Sequence, residues 1–286
     1  MKARAFDYVR PRSVREALEA FVKANGDAAF IAGGQSLVPA LALRLQAPCL
    51  LVDIARLEDL NGLSAENGYL RIGAATRHCE ILSSELVRRH APLLALAAPH
   101  VAHPAIRNRG TFGGSLALAD PASEFPAMAL ALDAEIEIAS PKCVRRVPAE
   151  AFFIDLYETA LQPGEMIIAI HVPFASAGSR AAFDELARRR GDYAIVGAGV
   201  QGDFDGGVVA GMRIAFLAVG STPVRARSAE AVLTGQPLSP ATIRAAQNAL
   251  DDDLDPPDDE HTPAAMRLHL ARVLLGRLLG RLEAGE

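Results

Sequence analysis

Apolar residues recur along this chain at two different spacings, and the alternation between them predicts a mixed α+β architecture. Val14, Ala17, Leu18, Phe21 and Val22 keep a helical period behind Ser13, whose spacing to Glu16 is that of a capping box, and Gly26 ends the run. A short extended piece at Phe6 to Tyr8 precedes this helix. Ala28 to Ala32 and Leu50 to Ile54 are continuous apolar runs that read as buried strands, and a helix over Leu37 to Leu45 separates them. From Leu57 the texture changes. Asn67-Gly68 predicts a hairpin before Tyr69 to Ala74, and helices follow at Arg77 to Leu82, Ser84 to Ala98 and Ala122 to Leu132. Ala134 to Ala139, Val144 to Val147 and Met166 to Val172 read as strands, the last two half-buried by their alternation.

Pro173 to Ser179 is rich in small residues and predicts a boundary. Beyond it, Arg180 to Arg188, Ala194 to Asp203 and Val208 to Gly220 form a three-stranded meander that turns at Asp205-Gly206-Gly207. Three helices then close the chain, two of them announced by Ser239-Pro240 and Thr262-Pro263. The acidic run from Asp251 to Glu260 reads as a solvated loop between helices, because like charges repel and its prolines bar a helix. The expected division is residues 1–56 as a first α/β unit, 57–175 as a second, and 176–286 as a C-terminal unit of sheet and helices.

Composition narrows the function by exclusion. The net charge of -5 over 286 residues leaves no basic surplus for a nucleic-acid partner. Cys49, Cys79 and Cys143 are scattered and form no CxxC, so they supply neither a disulfide framework nor ligands for zinc or iron–sulfur. No segment reaches the roughly 18 uninterrupted apolar residues of a membrane span, and the first ten positions hold no apolar signal core. A cytoplasmic protein is expected. His100 and His103 are bracketed by Pro99 and Pro104 without a further ligand nearby, and no GxSxG elbow is present.

The chemistry concentrates in two glycine pairs, Ala32-Gly33-Gly34-Gln35-Ser36 and Thr111-Phe112-Gly113-Gly114-Ser115. Each is read as following a β-like stretch, and each ends in a small hydroxyl residue. Paired glycines let backbone N–H groups converge on an anion, and the first pair stands where a helix begins. One such pair alone is more readily a tight turn. Two with matching flanks point to a diphosphate gripped from both sides, by neither a GxxxxGK[ST] loop nor a GxGxxG fingerprint.

The stretch from Ile106 to Ala127, reading IRNRGTFGGSLALADPASEFPA, resembles the second flavin motif of the molybdenum hydroxylase flavoproteins, and the first glycine pair resembles their other motif. Gly191-Asp192-Tyr193, Gly220 to Ala226, and the closing Asp258-Asp259-Glu260-His261 with Arg267 to Leu270 extend the resemblance over the whole chain. It implies an FAD-binding fold of the p-cresol methylhydroxylase and vanillyl-alcohol oxidase type, with two α/β subdomains, followed by a C-terminal domain. It also implies a medium subunit that takes electrons from partner [2Fe-2S] clusters. The implied partners are a small iron–sulfur subunit and a large subunit carrying the molybdenum cofactor, assembled as a dimer of heterotrimers.

Carried over by position, Ala32, Gly33, Gly34, Gln35 and Ser36 form one wall of the pyrophosphate site, and Thr111, Gly113, Gly114 and Ser115 the other. Phe30, Ile31 and Leu37 flank the first loop, while Val101 and Ile167 match the adenine and flavin channel. Glu124 matches an acidic residue that accepts from a ribose hydroxyl, although an acid opening a helix also suits the dipole. Asp120 is either a cofactor contact or a turn former. Tyr193 matches a tyrosine beside the isoalloxazine, with core packing as its alternative. Two departures stand out: Ser115 replaces an Asn or Asp, and Glu185 lies where many relatives carry Lys. A self-sufficient flavin oxidoreductase of the same fold is the alternative, and a scaffold that has lost FAD is opposed by the intact glycines.

Overall fold

The computed structural model describes residues 2–260 and 262–285. The chain opens with β1 (Asp7–Val9), α1 (Val14–Lys23), β2 (Ala28–Ile31), α2 (Leu37–Leu43) and β3 (Leu50–Asp53). The strands form a parallel sheet in the order β1-β3-β2, as strands joined by helical crossovers must. Ser13 Oγ accepts from the Glu16 N–H at 3.1 Å, and the Glu16 carboxylate accepts from the Arg12 N–H at 2.8 Å, so the cap closes one residue earlier than the standard box. Helix α2 stops at Leu43, short of Leu45, because Arg44 turns into the left-handed region at φ 61°.

The middle of the chain contains β4 (Leu63–Glu66), β5 (Tyr69–Gly73), α3 (His78–Ser83), α4 (Glu85–His90), α5 (Pro92–Ala97), α6 (Pro104–Arg107), α7 (Phe112–Leu118) and α8 (Glu124–Ala131). It continues through β6 (Glu135–Ala139), β7 (Val144–Pro148), α9 (Ala149–Phe152), the small hairpin of β8 (Phe153–Asp155) and β9 (Glu158–Thr159), and β10 (Met166–Pro173). Asn67 and Gly68 take φ of 51° and 82° between β4 and β5, the geometry an Asn-Gly hairpin turn requires. The main sheet runs antiparallel in the order β4-β5-β10-β6-β7. Strand β10 is its centre and is buried on both faces, so the half-buried reading fails for it. The single helix expected over Ser84 to Ala98 is two helices. Pro92 has no N–H to continue α4 and forces Ala91 out of the helical region, to φ -142°. The second glycine pair follows the short helix α6, not a strand.

The last third is β11 (Ser179–Ala187), β12 (Ala194–Asp205), β13 (Val208–Leu217), β14 (Val224–Arg225), α10 (Arg227–Leu233), α11 (Pro240–Asp253) and α12 (Ala264–Ala284). The meander gains a fourth strand, β14, whose two residues are too few to carry a period. Ala198, Val200 and Phe216 face the closing helices, while Phe183, Ala215 and Leu217 join the core beneath the main sheet. Ser239 caps α11 as expected, but α12 begins at Ala264 with Pro263 in the cap position.

The acidic run is not simply solvated. Its first three aspartates finish α11, and the Asp253 carboxylate accepts from the N–H groups of Ser228 and Ala229 at 2.9 and 3.0 Å, capping α10 from another element. Asp251 pairs with Arg272 and Asp259 with Arg267. His261 lies outside the described residues. Asp253→Ala is therefore expected to cost about 1 kcal/mol, the usual value of a lost N-terminal cap, and Asp252→Ala close to nothing. Equal denaturant midpoints for the two variants would contradict this reading.

Candidate functional site

The two glycine segments meet backbone to backbone. A Cβ on Gly33 would strike the carbonyl of Arg109 and come within 2.8 Å of Gly110 Cα, so the first loop lies flush on the chain entering the second. Gly113 is pressed in the same way against the end of β5: its N–H donates to the Ala74 carbonyl at 2.9 Å, and a Cβ would sit 2.6 Å from that of Ala74. Gly34 takes φ +69°, which disfavours any side chain. Gly114 differs from these three. Its Cβ direction meets only Thr111, with Oγ1 at 2.7 Å, and is otherwise open. Beneath the second segment, Phe125 meets His78 and Phe112 edge-on with centroids 5.0 Å apart, and this buried cluster fixes α7.

The two segments are chemically unequal. Among the described residues the N–H groups of Gly33, Gly34, Gln35 and Ser36 donate to no protein acceptor, while the Gln35 amide braces the loop by donating to the Gly33 carbonyl at 2.8 Å. The second segment is already satisfied. Phe112 N–H donates to Thr76, Gly113 to Ala74, and Ser115 to the Thr111 carbonyl, while Thr111 Oγ1 accepts from Gly114 at 3.2 Å. Two equivalent nests were expected. The structure has one open nest facing a self-capped helix start whose free contribution is hydroxyl groups and closeness.

Both segments border one cavity of about 510 Å³. Ala32, Gly33, Gly34, Gln35, Ser36, Phe30 and Leu37 line it from the first side, and Thr111, Gly113, Gly114 and Ser115 from the other. Val101, Glu124, Ile167 and Tyr193 complete it. Ile31 and Asp120 do not line it. Ile31 borders a neighbouring hollow that shares Ala32 to Gln35 with the cavity, whereas Phe30, the residue before it on the strand, lines the cavity. Asp120 is 6% exposed and serves as a turn former: Oδ1 accepts from the Ala122 N–H at 2.9 Å, and Oδ2 lies 3.4 Å from the Tyr157 hydroxyl. Tyr193 is 71% exposed, which rules out the core reading. Its phenol is nonetheless pushed up to about 12, first by desolvation at its hydroxyl end and then by the Asp120 carboxylate.

Burial, reinforced by repulsion from Glu185, pushes the Glu124 carboxyl up to about 7, so near neutrality it is half-protonated and can donate as well as accept. His78, 6% exposed, also lines the cavity, and neither ring nitrogen has a hydrogen-bond partner. Burial brings it down to about 4 and keeps it neutral. Nothing in the sequence marks His78, since only the close packing of α3 against Gly110 brings it there. Glu185, with a side chain 7% exposed, pairs with His100 Nδ1 at 3.4 Å and lies outside the cavity lining. His100 is held above the usual imidazole range by that hydrogen bond. Among the described residues no three His, Cys, Asp or Glu are grouped to hold a metal, and no helix is long and apolar enough to cross a membrane.

Comparison with known proteins accounts for this arrangement. Residues 4–175 match the profile described as the FAD binding domain in molybdopterin dehydrogenase, and residues 181–282 that of the CO dehydrogenase flavoprotein C-terminal domain. The chain belongs to the FAD-binding medium subunits of the molybdenum hydroxylases. The flavoprotein is 42% identical over 282 residues to the 6-hydroxypseudooxynicotine dehydrogenase complex subunit alpha of Paenarthrobacter nicotinovorans, spanning 98% of this chain and 95% of that one. It superposes on a chain of carbon monoxide dehydrogenase from Hydrogenophaga pseudoflava with a TM-score of 0.95 and 37% identity, covering 98% of each. Quinoline 2-oxidoreductase from Pseudomonas putida 86 gives a TM-score of 0.94 at 37% identity, covering 100% of this chain and 99% of that one.

The residues present fit the cofactor. Unpartnered amides line one wall, and Gly114 leaves a cradle that a Cβ would enter. The Glu185–His100 pair yields a test of its own. A histidine whose folded-state pKa is raised stabilises the protein below its unfolded value and loses that contribution as pH rises through the folded one. Glu185→Gln is therefore expected to lower the His100 titration midpoint in NMR, with a stability deficit largest near about pH 5.5 and absent near about pH 9. An unchanged midpoint would remove the pair.

Proposed function

We propose that this medium subunit holds FAD along the cavity, with the diphosphate on the amides of Gly33 to Ser36 and the hydroxyls of Thr111 and Ser115 facing it. The observation that carries the reading is the single cavity joining an open run of backbone donors to an exposed tyrosine. In this arrangement Phe30, Leu37, Val101 and Ile167 supply apolar walls, and Glu124 meets a ribose hydroxyl. Tyr193 stands at the mouth and limits access to the ring system. Bound FAD supplies a group that accepts electrons singly and releases them in pairs.

We further propose that those electrons arrive from a small iron–sulfur subunit, and that substrate oxidation belongs to a large molybdopterin subunit, in a dimer of heterotrimers. The scattered cysteines, which leave no grouped cluster ligands among the described residues, and relatives named as one chain of a complex support this division. A self-sufficient oxidoreductase of the same fold is the second reading; among the cavity-lining residues its base would be Glu124, whose carboxyl is pushed up to about 7.

Expressed alone, the chain is expected to take up FAD and to oxidise no hydroxylase substrate until partner subunits are added. Gly114→Asp tests the cradle more cleanly than the same change at Gly33, where a side chain would also force the two segments apart. It is expected to weaken FAD binding at least about a hundredfold by setting a like charge against the diphosphate, with melting of the apoprotein little changed. Normal flavin content in the variant would overturn the placement. Tyr193→Ala is expected to perturb the flavin spectrum and the rate of reoxidation at a stability cost within about 0.5 kcal/mol, the scale of an exposed site. A large destabilisation with an unaltered spectrum would assign the ring to packing.

A further inference from the structure

Among the described residues, no lysine and no arginine lines the cavity proposed to take the doubly charged diphosphate. Its charged residues are the carboxylates Glu124, Glu165 and Asp192. Glu165 is neutralised from outside the cavity by Arg145 at 2.6 Å, and Glu124 is close to half-protonated at neutral pH, but neither supplies positive charge. Backbone N–H dipoles at the first loop carry only partial charges. Desolvating a dianion against such a wall leaves it short of counter-charge.

Cations stand in a neighbouring hollow that borders the same loop. A hollow of about 680 Å³ shares Ala32 to Gln35 with the cavity, and its rim carries Arg10, Arg56, Arg77 and Arg109. Arg77 and Arg109 also border a smaller recess together with Gly33 and Thr111, one residue from each glycine segment. The only carboxylate in the hollow's lining is Asp53, which is occupied by Arg10 at 3.1 Å and by the Tyr8 hydroxyl. Among the described residues Arg56, Arg77 and Arg109 pair with no carboxylate, whereas most other arginines of the C-terminal half are tied into ion pairs such as Arg225–Glu230 and Arg281–Asp184. Unpaired guanidiniums gathered beside a loop whose own amides are unpartnered form a positive field that, among the described residues lining the hollow, meets only the carboxylate of Asp53.

We propose that Arg77 and Arg109, with Arg56, are the counter-charge of the FAD diphosphate, a charge-supplying set separate from the residues that shape the cradle. This rests on the placement of FAD proposed above. It gives the positions flanking the second glycine segment a role that the glycines do not share: the glycines set how near the diphosphate can come, and the arginines set how strongly it is held. Because the attraction is long-range and the guanidiniums are exposed, salt should screen it, and any cation at these positions should serve.

The test is a binding titration of the purified apoprotein with three ligands, FAD, ADP and riboflavin, at low and high salt. Arg77→Met and Arg109→Met are each expected to weaken FAD and ADP about fivefold to tenfold at low salt, with the difference shrinking towards high salt. Riboflavin, which lacks phosphate, should bind all variants alike, and Arg77→Lys and Arg109→Lys should bind FAD nearly as the natural chain does. Unchanged FAD and ADP affinities in the Met variants overturn the inference. So does a loss that Lys does not restore or that reaches riboflavin equally, because that pattern belongs to a structural role. Should a Met variant fail to fold, the salt series on the unmodified chain decides: FAD affinity that does not fall with salt removes the arginines. Gly114→Asp, run in parallel, separates the two levels. If it also leaves FAD bound, the placement itself fails; if it abolishes binding while the arginine variants are silent, only the present inference does.

Discussion

The site depends on the contact of Gly33 with the backbone of Arg109 and Gly110. Two segments distant in sequence, one on a parallel sheet and one at the start of a helix, are brought to main-chain distance there, and no side chain of any kind can be admitted between them. That approach is supported from below. Gly113 lies on Ala74 at the end of β5, and Phe112 and Phe125 are fully buried under it, so α7 is located by packing before it has any ligand. Aromatic pairs of this kind contribute about 0.5–1.5 kcal/mol each beyond their burial, enough to hold the second segment rigid while the first offers its amides.

The consequence is a division of labour among residues that look alike in sequence. Gly33 and Gly113 allow two backbones to pack, Gly34 allows a left-handed turn, and Gly114 alone leaves space open to a ligand. Thr111 Oγ1 accepts from the Gly114 N–H, so the second segment keeps its hydroxyls but no free backbone donor, and the open amides of the first loop carry the backbone hydrogen bonding. Charge is apportioned just as unevenly. The cavity wall is acidic or neutral, its titrating carboxyl Glu124 is shifted by burial, and the unpaired arginines line a neighbouring hollow that shares the loop. Glu185 is turned to His100 and is no part of the cavity wall.

Much of this was legible in the sequence because local rules and tertiary packing agree. The period of α1, the Asn67-Gly68 turn, the meander and both glycine segments follow from spacing and backbone chemistry, and most of the proposed cofactor residues do converge on one cavity. The failures share a cause, which is that a position can satisfy a local rule for a nonlocal reason. Asp120, read as either a cofactor contact or a turn former, accepts from Ala122 and acts on the Tyr157 and Tyr193 hydroxyls from outside the cavity lining. Asp253 belongs to an apparently solvated acidic run yet caps α10. Ile31 adjoins the first loop but borders the neighbouring hollow, which alternation along a four-residue strand does not reveal. Strand β10 is buried on both faces because it became the centre of an antiparallel sheet, which its own alternation does not reveal. His78 and the arginine hollow had no signal at all, since each is assembled from separate elements.

The central claim is the asymmetry of the two glycine segments, and amide hydrogen exchange reads it residue by residue. In the apoprotein the amides of Gly33, Gly34, Gln35 and Ser36 should exchange fast, and those of Phe112, Gly113, Gly114 and Ser115 slowly. Adding FAD should protect the first group strongly and alter the second little. Equal protection gained by both segments, or protection gained only by the second, would contradict the account.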